Sequence, residues 1–428
     1  MAASSVAKKQ SVFASSLWQQ TVPVDALHPV RMMAWELLER RGLPAKEEEA
    51  FGYFPVRALS EVPYLFAEER GLNGSSIEPH ILPECRTSCL VFVDGRLSLS
   101  LSRLDAIDKR IAILPLHEAM RTYGHFLRTR FAKILEAETD PFALLNLALH
   151  PAGAFLYLPP KTVLRPLQVL FVSTQEKAAV LPRLQIFAGA HSTAEIIFSS
   201  ADAESVLQAP ALDIALDEGA NVGFKHIAEA KSQAWNLFST RATLKKAAQF
   251  SHLQWCRGSG IVRGDTRAWL QGEGASVNLQ GVWMLQEKSQ AHAHVRVDHE
   301  APHCQSMQLF KGVLAGLSQS SFEGKIYVRP EAQKTQAYQL NKNLLLSPHA
   351  IAHAKPNLEI FADDVKASHG ATVAHLDDEL LFYLKSRGIT ASQAKSLLVE
   401  GFCREVLDGF SLPSLATQAM HAVDNYSN

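Results

Sequence analysis

The sequence predicts a mainly β protein with a helical region at each end. Three observations lead there. Between Gly153 and His375 helical periodicity largely disappears, and short runs rich in Val, Ile and Phe replace it. Turn residues, among them Gly219, Gly223, Gly272, Gly274, Gly312, Gly324 and Gly370, punctuate those runs. Outside this stretch, apolar residues return at helical spacing and carry cap signals. The chain therefore divides into 1–150, mostly helical, 151–375, the β core, and 376–428, helical again.

The β runs include Gln168–Val172, Arg183–Phe187, Glu195–Phe198, Val277–Val282, His294–Val297, Met307–Val313, Lys325–Val328 and Leu358–Phe361. Strands of about five residues that often return after about ten fit a sandwich, a barrel or a solenoid. About 200 residues is large for one sandwich, whereas a solenoid grows by adding rungs. No repeat of fixed period is visible, so periodicity leaves the choice open. Leu90–Val93, closed by Asp94-Gly95, reads as a further strand with a hairpin turn.

In the first region Asp25 precedes Val30, Met33, Ala34, Leu37 and Leu38, with Arg31, Glu39 and Arg40 on the wet face and Gly42 and Pro44 as the stop. Asp140-Pro141 opens a second helix through Leu144, Leu145, Ala148 and Leu149. In the third region Asp377 opens Leu380, Leu381 and Leu384, and Gly388 closes it. Thr390 and Gln393 form a capping box before Ala394, Leu397, Leu398, Phe402 and Val406. Glu400 and Arg404 add an i,i+4 pair. Short helices such as these must pack on something to persist. The tail from Ala416 is polar and reads as loose.

Of the 428 residues, 47% are hydrophobic and 20% charged, with a net charge of −1. That is the balance of a soluble globular protein without a global field for nucleic acid or anionic lipid. Met1–Phe13 is polar and lacks the apolar run of a secretory signal. No stretch reaches the roughly 18 apolar residues of a membrane span. The five cysteines, Cys85, Cys89, Cys256, Cys304 and Cys403, are odd in number and irregular in spacing, and read as reduced cytosolic thiols.

Two clusters could carry chemistry. His292, His294, His299 and His303 lie close in sequence, and His292 and His294 share a strand face. Their spacing does not fit a cupin metal site, since Glu300 lies six residues after His294 and Met307 stands where glycine is needed. Asp363, Asp364, Lys366, Ser368 and His369 are concentrated in one segment. They could supply acid–base groups to a carbohydrate-active solenoid enzyme, or form a turn at the solenoid end. The chain has no phosphate-binding G-x-x-x-x-G-K-[ST] loop and no G-x-S-x-G elbow. Gly272-x-Gly274 lacks the third glycine of a dinucleotide fingerprint. Trp255, Trp269 and Trp283 have no basic stripe beside them.

From Val295 to Ile389 a series of blocks resembles the SufB/SufD family of iron–sulfur cluster assembly proteins. They are the His299 segment, Phe322-Glu323-Gly324-Lys325-Ile326, Ala332-Gln333-Lys334-Thr335, Gln339 with Asn341, Asn343–Ser347, Lys355-Pro356-x-Leu358-Glu359-Ile360, Leu381-Phe382-Tyr383-Leu384 and Ser386-Arg387-Gly388-Ile389. Gly272-Glu273-Gly274-Ala275 and the Gly42-Leu43-Pro44 segment also fit. Ala362-Asp363-Asp364-Val365-Lys366-Ala367-Ser368-His369-Gly370-Ala371-Thr372 is similar to the SufD branch, whose SufB counterpart carries an E-H-E-A-type segment.

The resemblance implies a right-handed parallel β-helix between helical flanks. It implies a non-enzymatic cytoplasmic scaffold subunit that pairs edge to edge with SufB and carries the ATPase SufC on its C-terminal helices. Asp363, Asp364, Ser368 and Gly370 would face SufB, and Leu381, Phe382, Tyr383 and Arg387 would face SufC. His369 would hold iron or a nascent cluster transiently at the SufB interface, with no cofactor bound tightly in isolation. Many family members have cysteine two places before this histidine; here it is Ala367, which leaves imidazole alone. Either His369 suffices or the subunit is mainly architectural, and the first reading is adopted. A homodimer in the absence of SufB, or a SufB-like scaffold that binds a cluster unaided, are the other states to weigh.

Overall fold

The structure, a computed structural model, describes Leu17 and residues 24–426 apart from 46, 47, 69 and 70. Met1–Phe13 lies outside the described residues. The chain is mainly β. Two long sheets face one another, and successive strands alternate between them. Each core strand pairs in parallel with the strand two places along, so the chain winds through about eight turns of a β-solenoid. The first sheet ends at Ile351–Ile360 and the second at Lys366–His375.

The turns are not uniform, which is why no fixed period shows in the sequence. The register partners Gln208 and Asn236 are 28 residues apart, His292 and Ser321 are 29 apart, and Gln308 and Gln339 are 31 apart. Connections of varying length erase a sequence repeat while the ladder keeps the strands aligned. Several ten-residue strands, including Trp235–Leu244, Ile261–Leu270 and Gln336–Leu345, escape the sequence reading. They carry Arg, Asp, Gln and Asn at positions that tertiary packing buries. The Asp363–Ala371 segment is a further correction. It is not a terminal turn: Lys366–His375 is a full strand, in register with Gln336–Leu345.

Alternation sends every second side chain into the lumen, where the largest apolar cluster lies. Glycines make room there for rings one rung away. Gly264 is the register partner of Phe238, and Gly281 that of Phe310.

The N-terminal region coats the outer face of the first sheet. Its helix His28–Arg41 buries Val30, Ala34, Trp35 and Leu38 as spacing requires. Arg31, expected on the wet face, is 1% exposed and lies 2.6 Å from Asp25, while Met33 is exposed. Asp140 caps Pro141–Leu149 by accepting the N–H groups of Phe142 and Ala143 at 2.9 and 3.0 Å. All nine residues of that helix are buried. Ion pairs Arg241–Glu138 at 2.8 Å and Arg263–Asp140 at 2.6 Å pin this region to the sheet. The region also contributes strands. Cys89–Val93 extends the second sheet and turns back through Asp94 and Gly95, both at positive φ, as a hairpin.

The C-terminal helices coat the outer face of the second sheet. Thr390 and Gln393 form the expected capping box for Ala391–Leu407, which buries Val399, Cys403 and Val406 against Trp255, Val282 and Leu309. The tail is ordered: Pro413–Tyr426 is a helix that buries Leu415, Ala419 and Val423. Lys311 reaches out of the sheet to the Phe402 carbonyl at 2.7 Å and to Glu405 at 2.7 Å. No helix among the described residues is long and apolar enough to cross a membrane.

Candidate functional site at the open end of the solenoid

The last rung has no successor. Ile351–Ile360 and Lys366–His375 are the edge strands of the two sheets, and none of their residues is buried. The Ile351 N–H donates to Ser318 and the Phe361 N–H to Val328. Odd residues of that strand therefore turn their N–H groups back to the preceding rung, and even residues turn theirs to the free edge. Pro356 is even, so its missing N–H falls at the free edge, where proline is tolerated and blunts further pairing. The second edge has no such block. The Lys366 N–H donates to Thr335, which leaves the N–H groups of Ala367, His369, Ala371 and Val373 facing outward along the edge.

Side chains follow the same alternation. Ala337, Gln339, Asn341 and Asn343 point into the lumen and are buried. Their register partners are Ala367, His369, Ala371 and Val373, so these four line the mouth of the lumen. Leu358 and Ile360 of the facing strand share that mouth, since their partners Ile326 and Val328 are buried inside. The mouth is thus largely apolar, with His369 midway along the strand and His375 at its end as exposed imidazoles. Ser368 and Gly370 lie on the opposite face of the same strand. Asp363 and Asp364 are exposed at its entry, where Asp364 is tied to the previous rung by its N–H to Gln333 Oε1 at 3.0 Å.

Leu381, Phe382, Tyr383 and Arg387 sit elsewhere, on the helix Asp378–Ser386 and its C-cap. That helix has no buried residue. Phe382 is 73% exposed, and Arg387 lies over the Tyr383 ring at 5.2 Å. The apolar lining of the mouth at Leu358, Ile360 and Val373 is not evident from local sequence. Period-two alternation counted back from a buried neighbour would have found it.

The histidine cluster does not converge. His292 bonds Ser321 at 2.7 Å, His294 bonds Asp265 at 2.6 Å and His299 bonds Ser306 at 2.8 Å. Burial holds His292 down at about 3 and His299 at about 4. No group of three or more His, Cys, Asp or Glu among the described residues is placed to hold a metal ion. All five cysteines are unpaired and buried. Burial pushes the thiols of Cys85 and Cys304 up to about 11 and those of Cys89, Cys256 and Cys403 to about 12. Thiols so held are protonated and poor ligands. Trp255 and Trp283 are core residues.

Residues 171–402 match the model of the SUF system FeS cluster assembly SufBD core domain, and residues 16–169 that of the SufBD protein N-terminal region. The chain belongs to the SufBD family. An iron–sulfur cluster assembly SufBD family protein of Synechocystis sp. is 27% identical over 403 residues, which cover 90% of this chain and 88% of the relative. The iron–sulfur cluster assembly protein SufD of Escherichia coli is 28% identical over 404 residues, covering 90% and 89%. A SufBD family protein of Mycobacterium leprae is 29% identical over 268 residues, covering 61% and 68%. The role of the chain therefore lies in iron–sulfur cluster assembly, as a scaffold-type subunit of the SUF system.

Proposed function

We propose that the chain is the SufD-type subunit of the assembly scaffold. It pairs through its open end with a SufB-type partner and carries the ATPase SufC on its C-terminal helices. The open end carries this reading: an unblocked edge strand, Lys366–His375, borders a largely apolar mouth on which His369 is exposed. An edge of that kind is a template for a second chain. Iron or a nascent cluster is the cargo there, held transiently by His369 as a neutral imidazole ligand. With Ala367 in the motif and every thiol of this chain buried, the partner supplies the remaining ligands. The helix Asp378–Ser386, with no face buried, supports SufC docking through Leu381, Phe382, Tyr383 and Arg387. The match to the Escherichia coli SufD over most of both chains supports the SufD assignment. Five unpaired thiols fit a reducing cytoplasm.

The test is the iron and cluster content of the co-expressed complex with and without His369→Ala. The expected result is unchanged subunit stoichiometry with a several-fold loss of iron. Equal iron content in the two complexes rejects the role of His369. Undiminished SufC recovery by a chain ending at His375 rejects the docking role of the helices.

A further inference from the structure

The two free edges at the open end differ by one residue. Along Ile351–Ile360 the edge-facing residues are Ala352, Ala354, Pro356, Leu358 and Ile360, and Pro356, in the middle, has no N–H to offer. Along Lys366–His375 every edge-facing residue keeps its N–H. The far end of the solenoid is a poor template for either edge. There the first sheet finishes in the four residues Ala112–Pro115, and the second in Arg96–Arg103, whose pairing is irregular. Two copies of this chain that meet open end to open end are related by a two-fold axis, so like edges run antiparallel.

An antiparallel pair bonds through its edge-facing residues, and each facing pair exchanges two N–H···O=C bonds. Opposite Pro356 one of the two is missing, and the facing carbonyl is left without a donor. In a symmetric dimer this happens twice, because each copy brings its own proline. With Pro356 opposite Pro356, one pair loses both bonds; in any other register that includes it, two pairs lose one each. A register that avoids Pro356 pairs no more than two of the five edge-facing residues. A non-identical chain with an ordinary residue at the facing position loses one bond only.

The strand is also held against slipping past this gap. On its outer face the Tyr53 ring stacks on His353 with centroids 3.7 Å apart, and Lys355 pairs with Glu49. Just beyond it the Phe361 ring lies 5.3 Å from that of Tyr327. Side chains fixed in this way fix which residues face the edge.

We propose that Pro356 sets partner choice at the open end, costing a second copy of this chain two backbone bonds and a non-identical chain only one. It thereby reserves the edge for a partner that has no proline at the facing position. This rests on the open-end pairing proposed above and says which chain that pairing favours.

The experiment is sedimentation of the full chain, wild type and Pro356→Ala, alone and titrated with the SufB-type partner. Pro356→Ala restores two bonds to the self-dimer, and its dissociation constant is expected to fall about tenfold. One bond returns to the mixed pair, whose constant is expected to fall about threefold. An unchanged self-dissociation constant, or a mixed pair that tightens as much as the self-dimer, overturns the proposal. Ala354→Pro places a second block on the same edge and is expected to weaken self-association further; no weakening also overturns it. Ala371→Pro, on the other sheet, separates this inference from the reading beneath it. If Ala371→Pro weakens partner binding while Pro356→Ala leaves self-association unchanged, the open end is the interface and only the role of Pro356 fails. If Ala371→Pro, Ala354→Pro and Pro356→Ala all change nothing, the open-end reading fails with it.

Discussion

Gln339 and His369 are register partners in adjacent rungs, yet one is buried and the other exposed. Gln339 Nε2 donates to Gln308 Oε1 at 2.8 Å, one rung further in. His369 occupies the same column with no rung beyond it. A lumen column that is buried through Gln339, Gln308, Leu279 and the rungs behind them ends, at the last turn, in an imidazole at an open mouth.

The free edge beside His369 can be blocked without disturbing the ladder behind it. The Ala371 N–H points away from the preceding rung, so Ala371→Pro removes a donor that no internal bond uses. The variant should melt within a few degrees of wild type yet lose most of its partner binding in co-purification. Full partner recovery would mean that the interface does not use this edge.

The junction between the N-terminal region and the solenoid should be sensitive to acid. Burial pushes the Glu138 carboxyl up, but the fields of Arg241 and Arg267 outweigh it and hold the group below the ordinary 4.5. Asp265 is held well below 3.8 against its own burial by Arg267, Arg241 and His294. Because the folded values are depressed, this stabilisation is complete above the ordinary carboxylate range and is lost as pH falls through the lowered values. Glu138→Gln leaves two buried arginines short of a counter-charge and should cost about 3–5 kcal/mol at neutral pH. Denaturant titrations at neutral and acid pH should show the difference between variant and wild type shrinking in acid.

Gly281 is required for its size. A Cβ there would stand 2.5 Å from the ring of Phe310, its partner one rung on. Gly281→Ala should destabilise the chain by about 1–3 kcal/mol through overpacking. The double variant with Phe310→Leu should recover part of that loss; a melting temperature equal to wild type for the single change would contradict the packing.

The C-terminal helices are held by few polar links, and Lys311 is the most buried of these, with its side chain 5% exposed. Lys311→Met keeps the aliphatic stem but loses the bonds to Phe402 and Glu405. Limited proteolysis should cleave around Ala391–Leu407 sooner in the variant while the solenoid stays intact. Identical cleavage kinetics would show that apolar packing alone holds the helix.

Local chemistry made much of this legible in advance. The caps at Asp140, Asp377 and Thr390 are satisfied by the nearest backbone N–H groups, so a few consecutive residues specify them. The turn at Asp94-Gly95 is equally local. The same holds for the short apolar runs, whose alternation needs no partner to be seen. Arg241 and Arg263 were not legible as buried residues, because the carboxylates that match them, Glu138 and Asp140, arrive from the distant N-terminal region; Arg31 pairs locally with Asp25 and is hidden only by tertiary packing. The ordered tail was hidden for a related reason: Leu415, Ala419 and Val423 count as a face only when Trp255 and its neighbours stand opposite.

The candidate site divides along the same line. Sequence by itself determined that His369 lies in a distinctive polar segment, that Ala367 removes a thiolate, and that a helical pair follows. Only the tertiary structure decided that the segment is a strand, that its odd residues line the lumen mouth and direct free N–H groups to the edge, and that Pro356 blunts the opposite edge. The reason is physical. A strand acquires its register, its buried face and its free edge from the strand it pairs with, and that partner, Gln336–Leu345, lies one whole turn of the solenoid away.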